Sequence, residues 1–560
     1  MHQQAYSKVL FLTIYLNKPN YYFYPMNPEQ YLSAWSVKKI TNNYSFEELI
    51  SLDGVPVWWF YNRLFLRHVL PNPINTFQEM VGKKRLSGYK RVKLASSAPF
   101  IKYLIYFNER NKHKFFLKHR VQKQINSHSR NPDPAEIVSP IGKVLFLTYT
   151  NHLNSEGTIF RLQEIINKIT DHKKLVPFLL FVDPLSSKNY KRLKNLISFY
   201  HFIDHSTLKD IRNEAQKLHE QWRKIDSPTK AKMLAIDGSF SLWTYLKYAF
   251  EVFFSPELLY LLVLYYRTAL RVIELENIKA IVLSSQNGLF EKCFVAAAHK
   301  RNIPVLRIQH GIGEDLVPPT PYDHFYKLVF SDYVKRDLIS KGWDAEKIKV
   351  VGPVIFDEIK DYVTQKKTSG RCILLATTAS VQSSVISSAN YHRRIQKIIA
   401  AISSIPDLNL NIKLHPRELP FEQCLSLYQQ DLISTGAVKT RIYPGNISRR
   451  EFYQLIADCD LFVNFGSTSS IEALILDKTV LTINIFDDDY ITGWIKEKKI
   501  SYTVHYTENI KEAIMQALQD NDQHLKLNRR EFVIKKCGII DGLASVRIVE
   551  LIHNLAEKNH

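Results

Sequence analysis

Two series of short apolar runs, each run followed by residues with helical spacing, organise this chain from about residue 143 onward. Lys143 to Tyr149 (KVLFLTY) is apolar without alternation, the pattern of a strand buried on both faces. A polar loop follows, Thr150 to Gly157, and then Ile159, Leu162, Ile165, Ile166 and Ile169 mark one face of a helix. Further strands are expected at Val176 to Val182, Ala280 to Leu283, Val305 to Ile308, Leu328 to Phe330 and Ile348 to Val351. The second series comprises Ile373 to Ala376, Leu408 to Leu414, Thr440 to Tyr443, Leu461 to Phe465 and Val480 to Ile485. Helices are expected between them, at Arg450 to Ala457 and Ser469 to Leu476 among others. Strand–helix alternation of this kind predicts parallel sheets joined by right-handed crossovers.

The division into domains follows. Residues 1–123 alternate short aromatic segments with Pro and Asn turns and form an N-terminal accessory region. Residues 124–142 are polar, carry three prolines and read as a linker. Residues 143–360 and 361–560 then form two doubly wound, Rossmann-like α/β domains facing a cleft, with Lys360 to Gly370 as a charged hinge and a helix at the C-terminus. At 560 residues the chain exceeds one ordinary core.

Composition changes this picture in one respect. The net charge is +21 with a pI near 9.4, which favours phosphate-rich ligands, nucleic acid or an anionic membrane surface. The excess is concentrated at Lys83 to Lys93 and at Arg110 to Lys123, where Lys112 to Arg120 mixes Phe115 and Phe116 with cations as interfacial helices do. A solvated basic face is the alternative. No C2H2 spacing, RNP-like motif or basic zipper is present, so no specific nucleic acid is expected as partner. Five scattered cysteines without a C-x-x-C pair point to a reducing compartment, a cytoplasmic protein without a metal site. Val9 to Leu16 is too short to span a bilayer and reads as a strand; Val252 to Tyr266, broken by Ser255, Pro256 and Glu257, reads as a buried helix.

Candidate chemistry lies where expected strands end, the edge at which α/β sheets bind ligands. Gly466 permits a tight turn, and Ser467, Thr468, Ser469 and Ser470 bring hydroxyls and unpaired backbone N–H groups to a helix start, suited to a nucleotide phosphate. Glu472 follows early in that helix, where a carboxylate can accept ribose hydroxyls; an ordinary capping box is the alternative. Lys413 and His415, two apart on a strand, are expected to point to one anion. His310, with Gly311 beside it, can orient an acceptor or stabilise leaving-group charge, or be a structural turn. Glu156 in the first βα loop is the candidate general base, with His152 as rival.

Ile303 to Gly311, Ser331 to Lys335 and Ile348 to Pro353 resemble bacterial surface-polysaccharide transferases of the GT-B superfamily, in which a Q-H-G or W-H-G turn precedes a G-x-P strand end. Lys413 to Pro416 with Ser467 to Ser470 resembles the H-P and serine motifs of sialyl- and polysialyltransferases, and Gly466 to Lys478 the corresponding helix of capsule Kdo transferases and nucleotide-sugar 2-epimerases. CDP-glycerol polymerases share the paired H-G and H-P histidines. Gln309 departs from their tryptophan, and Ile-Gly-Glu-Asp after Gly311 departs from their T-P pattern.

The resemblance spans roughly residues 143–540. It implies a GT-B-like glycosyltransferase taking a CMP- or UDP-sugar as donor substrate, with no cofactor; no D-x-D carboxylate pair lies between the two strand series, so a metal-independent reaction is expected. The acceptor would be a glycan or lipid-linked glycan of surface polysaccharide or capsule, on the inner face of the cell membrane. A CDP-glycerol or CDP-ribitol transferase, a nucleotide-sugar 2-epimerase, and a basic polyanion-binding protein on a degenerate fold are the alternatives.

Overall fold

The computed structural model describes residues 49–62, 114–127, 142–148, 161–172, 174–182, 196–233, 250–284, 288–311, 319–363, 371–381, 386–416, 440–467, 469–486 and 499–558, with a few shorter pieces between them. The run Val9 to Leu16 and Cys424 lie outside the described residues. Seven strands form the first sheet: β1 (Gly142–Thr148), β2 (Leu175–Phe181), β3 (Leu196–Ser198), β4 (Ile278–Leu283), β5 (Val305–Ile308), β6 (Tyr326–Val329) and β7 (Ile348–Val350). All pairs are parallel, in the order β7-β6-β5-β4-β1-β2-β3. Six more form the second: β8 (Arg371–Ala376), β9 (Leu408–Lys413), β10 (Thr440–Tyr443), β11 (Leu461–Asn464), β12 (Thr479–Asn484) and β13 (Tyr502–His505). Their order is β10-β9-β8-β11-β12-β13, again all parallel.

Both sheets are doubly wound and Rossmann-like, and the fold is α/β, as the strand pattern predicts. The apolar runs are continuous because each sheet is covered on both faces. Leu145 and Leu147 of β1 pack on one side with Leu259, Leu262 and Phe294. Val144 and Phe146 pack on the other with Ile165 and Ile169. In β8, Ile373 and Leu375 face Ile395 and Ile399, whereas Leu374 and Ala376 face Ile456 and Leu474. Strands β3 and β13 are additions to the expected set: each is a short edge strand with little apolar pattern of its own.

Ser255, Pro256 and Glu257 separate a short helical stretch at 250–253 from a long helix that they start. The Ser255 hydroxyl accepts from the Leu258 N–H, Pro256 takes the first helical position, and the helix runs Pro256–Leu275. Thirteen of its twenty residues are buried, so its apolar character serves the core. No helix among the described residues is long and apolar enough to cross a membrane.

Residues 49–62 are integral to the first core. Trp58, Trp59, Phe60 and Tyr61 are each at most 2% exposed and join the apolar cluster around Leu145 and Leu147. The preceding hairpin, Ser51–Leu52 with Val55–Pro56, sets Asp53 against Arg267 (2.8 Å) and Lys300 (2.5 Å). Burial raises the Asp53 pKa, but the hydrogen bonds from these two cations outweigh it and hold the carboxyl at about 2. Residues 124–127, in the expected linker, continue the helix Gln122–Ser127, with Ile125 buried in the same core.

The chain returns to the first sheet at its end. In the helix Ala544–Glu557, Ile548, Val549 and Ile552 pack against Val144 and Phe146. The Asp357 carboxylate, just before the expected hinge, accepts from the Ala544 and Ser545 N–H groups (3.1 and 2.8 Å) and caps that helix. Lys360–Val363 is a turn of helix, and residues 364–370 lie outside the described residues.

Candidate active site

In the second sheet strand order reverses between β8 and β11, and the crevice at their carboxyl ends is where a doubly wound sheet takes a ligand. Three segments meet at this edge: Thr377–Ser380 after β8, Lys413–Pro416 at the end of β9, and Phe465–Ser470 after β11.

Lys413 is the last residue of β9 and leaves the strand on the face covered by the helices Arg449–Asp458 and Ser470–Ile475. Its ammonium lies 5.0 Å from the Phe452 ring centroid and makes no hydrogen bond or ion pair with any described residue. Desolvation lowers its pKa to about 8, partly offset by the charges of Glu472 and Glu418. A cation this desolvated and without a hydrogen-bond partner is a costly feature unless a ligand completes it.

The strand ends at Lys413, and His415 sits half-buried just beyond it. Its backbone N–H donates to the Thr377 hydroxyl (2.9 Å) and to the Glu418 carboxylate (2.7 Å). Glu418 also accepts from the Thr377 hydroxyl and from the hydroxyls of Tyr391 (3.3 Å) and Tyr428 (3.2 Å). Burial raises its carboxyl pKa, opposed by those hydrogen bonds. Thr377 and Glu418 therefore fix the His415 turn.

A Cβ on Gly445 would stand 2.6 Å from the His415 carbonyl oxygen and 2.7 Å from the Pro416 Cα, so only glycine fits behind this turn. Gly445→Ala is expected to lose about 1–3 kcal/mol of stability by overpacking. Chemical denaturation checks this; a change within experimental error would show that the turn shifts freely.

The serine turn differs from expectation in its hydrogen bonding. Asn464, the last residue of β11, accepts from the N–H groups of Gly466 (2.8 Å) and Ser467 (3.2 Å), with Gly466 at φ +89°. The Ser467 hydroxyl accepts from the Ser469 N–H (3.2 Å) and hydroxyl (2.9 Å), while buried Ser470 donates to the Ser467 carbonyl (2.7 Å). The amides of Gly466, Ser467, Ser469 and Ser470 are thus satisfied internally, and the helix they precede is only six residues long. What the turn presents is hydroxyl oxygens, with Thr468 outside the described residues.

Glu472, half-buried in the first turn of that helix, has its carboxyl pKa raised by desolvation and lowered by Arg449 and Lys413. It lies within electrostatic reach of both cations. Arg449 also acts on Arg161, whose pKa is brought to about 10 by burial first and by Arg449 second. Arg161 has a left-handed backbone (φ +70°) just before the helix Gln163–His172 and belongs to the first half of the chain. Arg449 in turn donates to the Ile355 carbonyl (2.7 Å).

At the first sheet, His310 is exposed immediately beyond β5. Gln309, 1% exposed, fixes this turn: its side-chain amide donates to the Gly311 carbonyl (2.8 Å) and its oxygen accepts from the Phe330 N–H (2.8 Å). Glu156 and His152 lie outside the described residues. The structure therefore brings Lys413, His415, Gly466, Ser467, Ser469, Ser470 and Glu472 to one sheet edge and His310 to another. Thr377, Glu418, Arg161 and Arg449 went unnoticed in the sequence. Only Thr377 and Glu418 left a trace there, as polar residues just past strand ends.

No family model matches this chain, and no curated protein matches it. Solved structures with a similar course include a putative UDP-N-acetylglucosamine 2-epimerase from Listeria monocytogenes, at 13% identity over 75% of this chain and 97% of that one, TM-score 0.43. A UDP-GlcNAc 2-epimerase from Neisseria meningitidis bound to UDP-GlcNAc aligns at 13% identity over 74% and 100%, TM-score 0.44. The wall teichoic acid polymerase TagF aligns at 13% identity over 81% and 98%, TM-score 0.42. The architecture rests on the two sheets themselves, and no function is drawn from these likenesses.

Proposed function

We propose that the protein is a metal-independent glycosyltransferase that moves a sugar from a nucleotide-activated donor, a CMP- or UDP-sugar, to a glycan or lipid-linked glycan acceptor of surface polysaccharide at the inner membrane face. The observation that supports this most is the Lys413 ammonium, desolvated and without a hydrogen bond to a described residue, at the carboxyl edge beside the β8–β11 crossover. An anionic phosphate supplies the hydrogen-bond partner that no described residue gives it.

In this reading the acceptor hydroxyl oxygen attacks the anomeric carbon, and the bond from that carbon to the donor phosphate oxygen breaks. Glu156 or His310 takes the hydroxyl proton. The electron pair leaves with the nucleotide phosphate, whose charge Lys413 neutralises with the hydroxyls of Ser467, Thr468 and Ser469 and with His415. Ser470 supports the turn, Gly466 gives the nucleotide backbone room, and Glu472 holds the ribose or balances the two cations.

A thermal-shift series with CMP, CDP, UDP and GDP tests the donor site, because a ligand that binds the native state raises its melting temperature. Selective stabilisation by one base, with transfer to an acceptor surviving excess EDTA, is the expected result. Polyphosphate binding with no response to any nucleotide would replace the transferase with a polyanion-binding protein.

A further inference from the structure

The basic segment before the first sheet has a structural partner. Residues 114–127 run as a helix with a π-helical turn at Leu117–Val121, a distortion often found where a helix has a task beyond packing. One face is anchored: Val121 and Ile125 are 1% exposed and join the first core, with Phe116 and Leu117 packed against it. The other face presents Phe115, 61% exposed, in a stretch (residues 111–127) with five Lys and Arg and no Asp or Glu.

Beside this helix lies an open groove of about 570 Å³, between it and the helices Leu208–Lys224 and Pro256–Leu275. Leu117, Val121, Ala215 and Tyr260 give it apolar walls, and Lys114 and Arg212 stand among its polar residues. Glu257, also at the groove, pairs with Lys114 at 3.8 Å, so one acidic group faces two cations. The Tyr260 hydroxyl pKa is raised by burial and lowered by Arg212, which places that guanidinium near the apolar wall.

We propose that this groove binds one anionic phospholipid of the membrane surface, an acyl chain against Leu117, Val121, Ala215 and Tyr260 and the phosphate at Lys114 and Arg212. An anionic phospholipid combines the apolar chain that the walls suit with the anion that Lys114 and Arg212 suit. Nucleic acid has nothing to lay against the apolar walls, and exposed Phe115 enters a headgroup layer as an interfacial aromatic does. The inference rests on the membrane-surface part of the proposed function and is independent of the donor site, so the nucleotide thermal shift is measured alongside.

The test is flotation of the full chain with vesicles of phosphatidylcholine alone or mixed with phosphatidylglycerol carrying a photoactivatable acyl chain. Binding only to the anionic vesicles is expected, with label confined to peptides around Leu117–Gln122, Arg212–Gln216 and Pro256–Tyr260. Reversing two cations, Lys114→Glu with Arg212→Glu, should weaken binding by roughly tenfold or more. Gln216→Trp, which fills the groove, should remove the label while flotation persists. Equal binding to neutral vesicles, or label elsewhere in the chain, overturns the proposal. So does capture of a lipid-linked glycan without vesicle binding. The wild-type label map decides by itself if a variant fails to fold, and a donor site that ignores nucleotides leaves this result standing.

Discussion

Lys413→Met is expected to weaken nucleotide binding roughly 10- to 150-fold while leaving the ligand-free protein at least as stable as the wild type. Both effects come from the same desolvated charge. With its pKa lowered to about 8, Lys413 gives up its proton more readily in the folded state than in the unfolded chain, though it is still an ammonium at neutral pH. Below pH 8 the fold carries the cost of burying an ammonium, and that cost fades as pH rises from 8 towards 10.5, where the unfolded chain also deprotonates. Methionine keeps the stem volume without the charge, and the gain at neutral pH is of order 1–3 kcal/mol.

A phosphate bound by that ammonium through charge-assisted hydrogen bonds loses about 1.5–3 kcal/mol when it is removed, roughly 10- to 150-fold in affinity. Wild-type affinity should also fall as pH rises above 8, and the variant should show no such dependence. Calorimetric titration across pH 6.5–9.5 (a range set by the pKa of about 8) measures both. Retained affinity in Lys413→Met would remove the central support of the donor site.

Trp59→Ala should be the most destabilising single change in the first half of the molecule, by about 3–5 kcal/mol. The indole is 1% exposed, packs edge-on to Phe60 (5.1 Å), and donates to Asp323 (3.3 Å). The Lys292 ammonium sits 4.9 Å from its ring centroid and donates to its backbone carbonyl. The truncation opens a cavity and leaves Asp323 without that donor. Denaturant unfolding followed by nucleotide response locates the damage: the first transition moves and the second sheet keeps its ligand shift. A loss below about 1 kcal/mol would mean that residues 49–62 only decorate the core.

Much of the second sheet was legible because its strands are buried on both faces. A strand such as β11, reading Leu-Phe-Val-Asn, has no polar face to confuse with a helix, and Gly466 after it marks a turn at positive φ. The edge strands β3 and β13 were missed because an edge needs less apolar pattern. The serine turn shows where local reading fails: Ser-Thr-Ser-Ser looks like a helix start with open amides. Asn464, whose side chain folds forward to accept from the Gly466 and Ser467 amides, is indistinguishable in sequence from any strand-end asparagine. Glu418 stands just past a strand end in the sequence, but its role was hidden for a similar reason, since its partners Thr377, Tyr391 and Tyr428 come from three separate segments.

By itself the sequence determined the two doubly wound sheets and the position of Lys413, because period and strand ends are properties of short stretches of chain. The tertiary structure alone decided that Lys413 has no hydrogen-bonding partner among the described residues while His415 is held through its backbone. It alone put Trp58 to Tyr61 inside the first core, and it returned the last helix to the first sheet. Each of these depends on which distant surfaces exclude water from one another, and that is set by the packed fold rather than by neighbours in the chain.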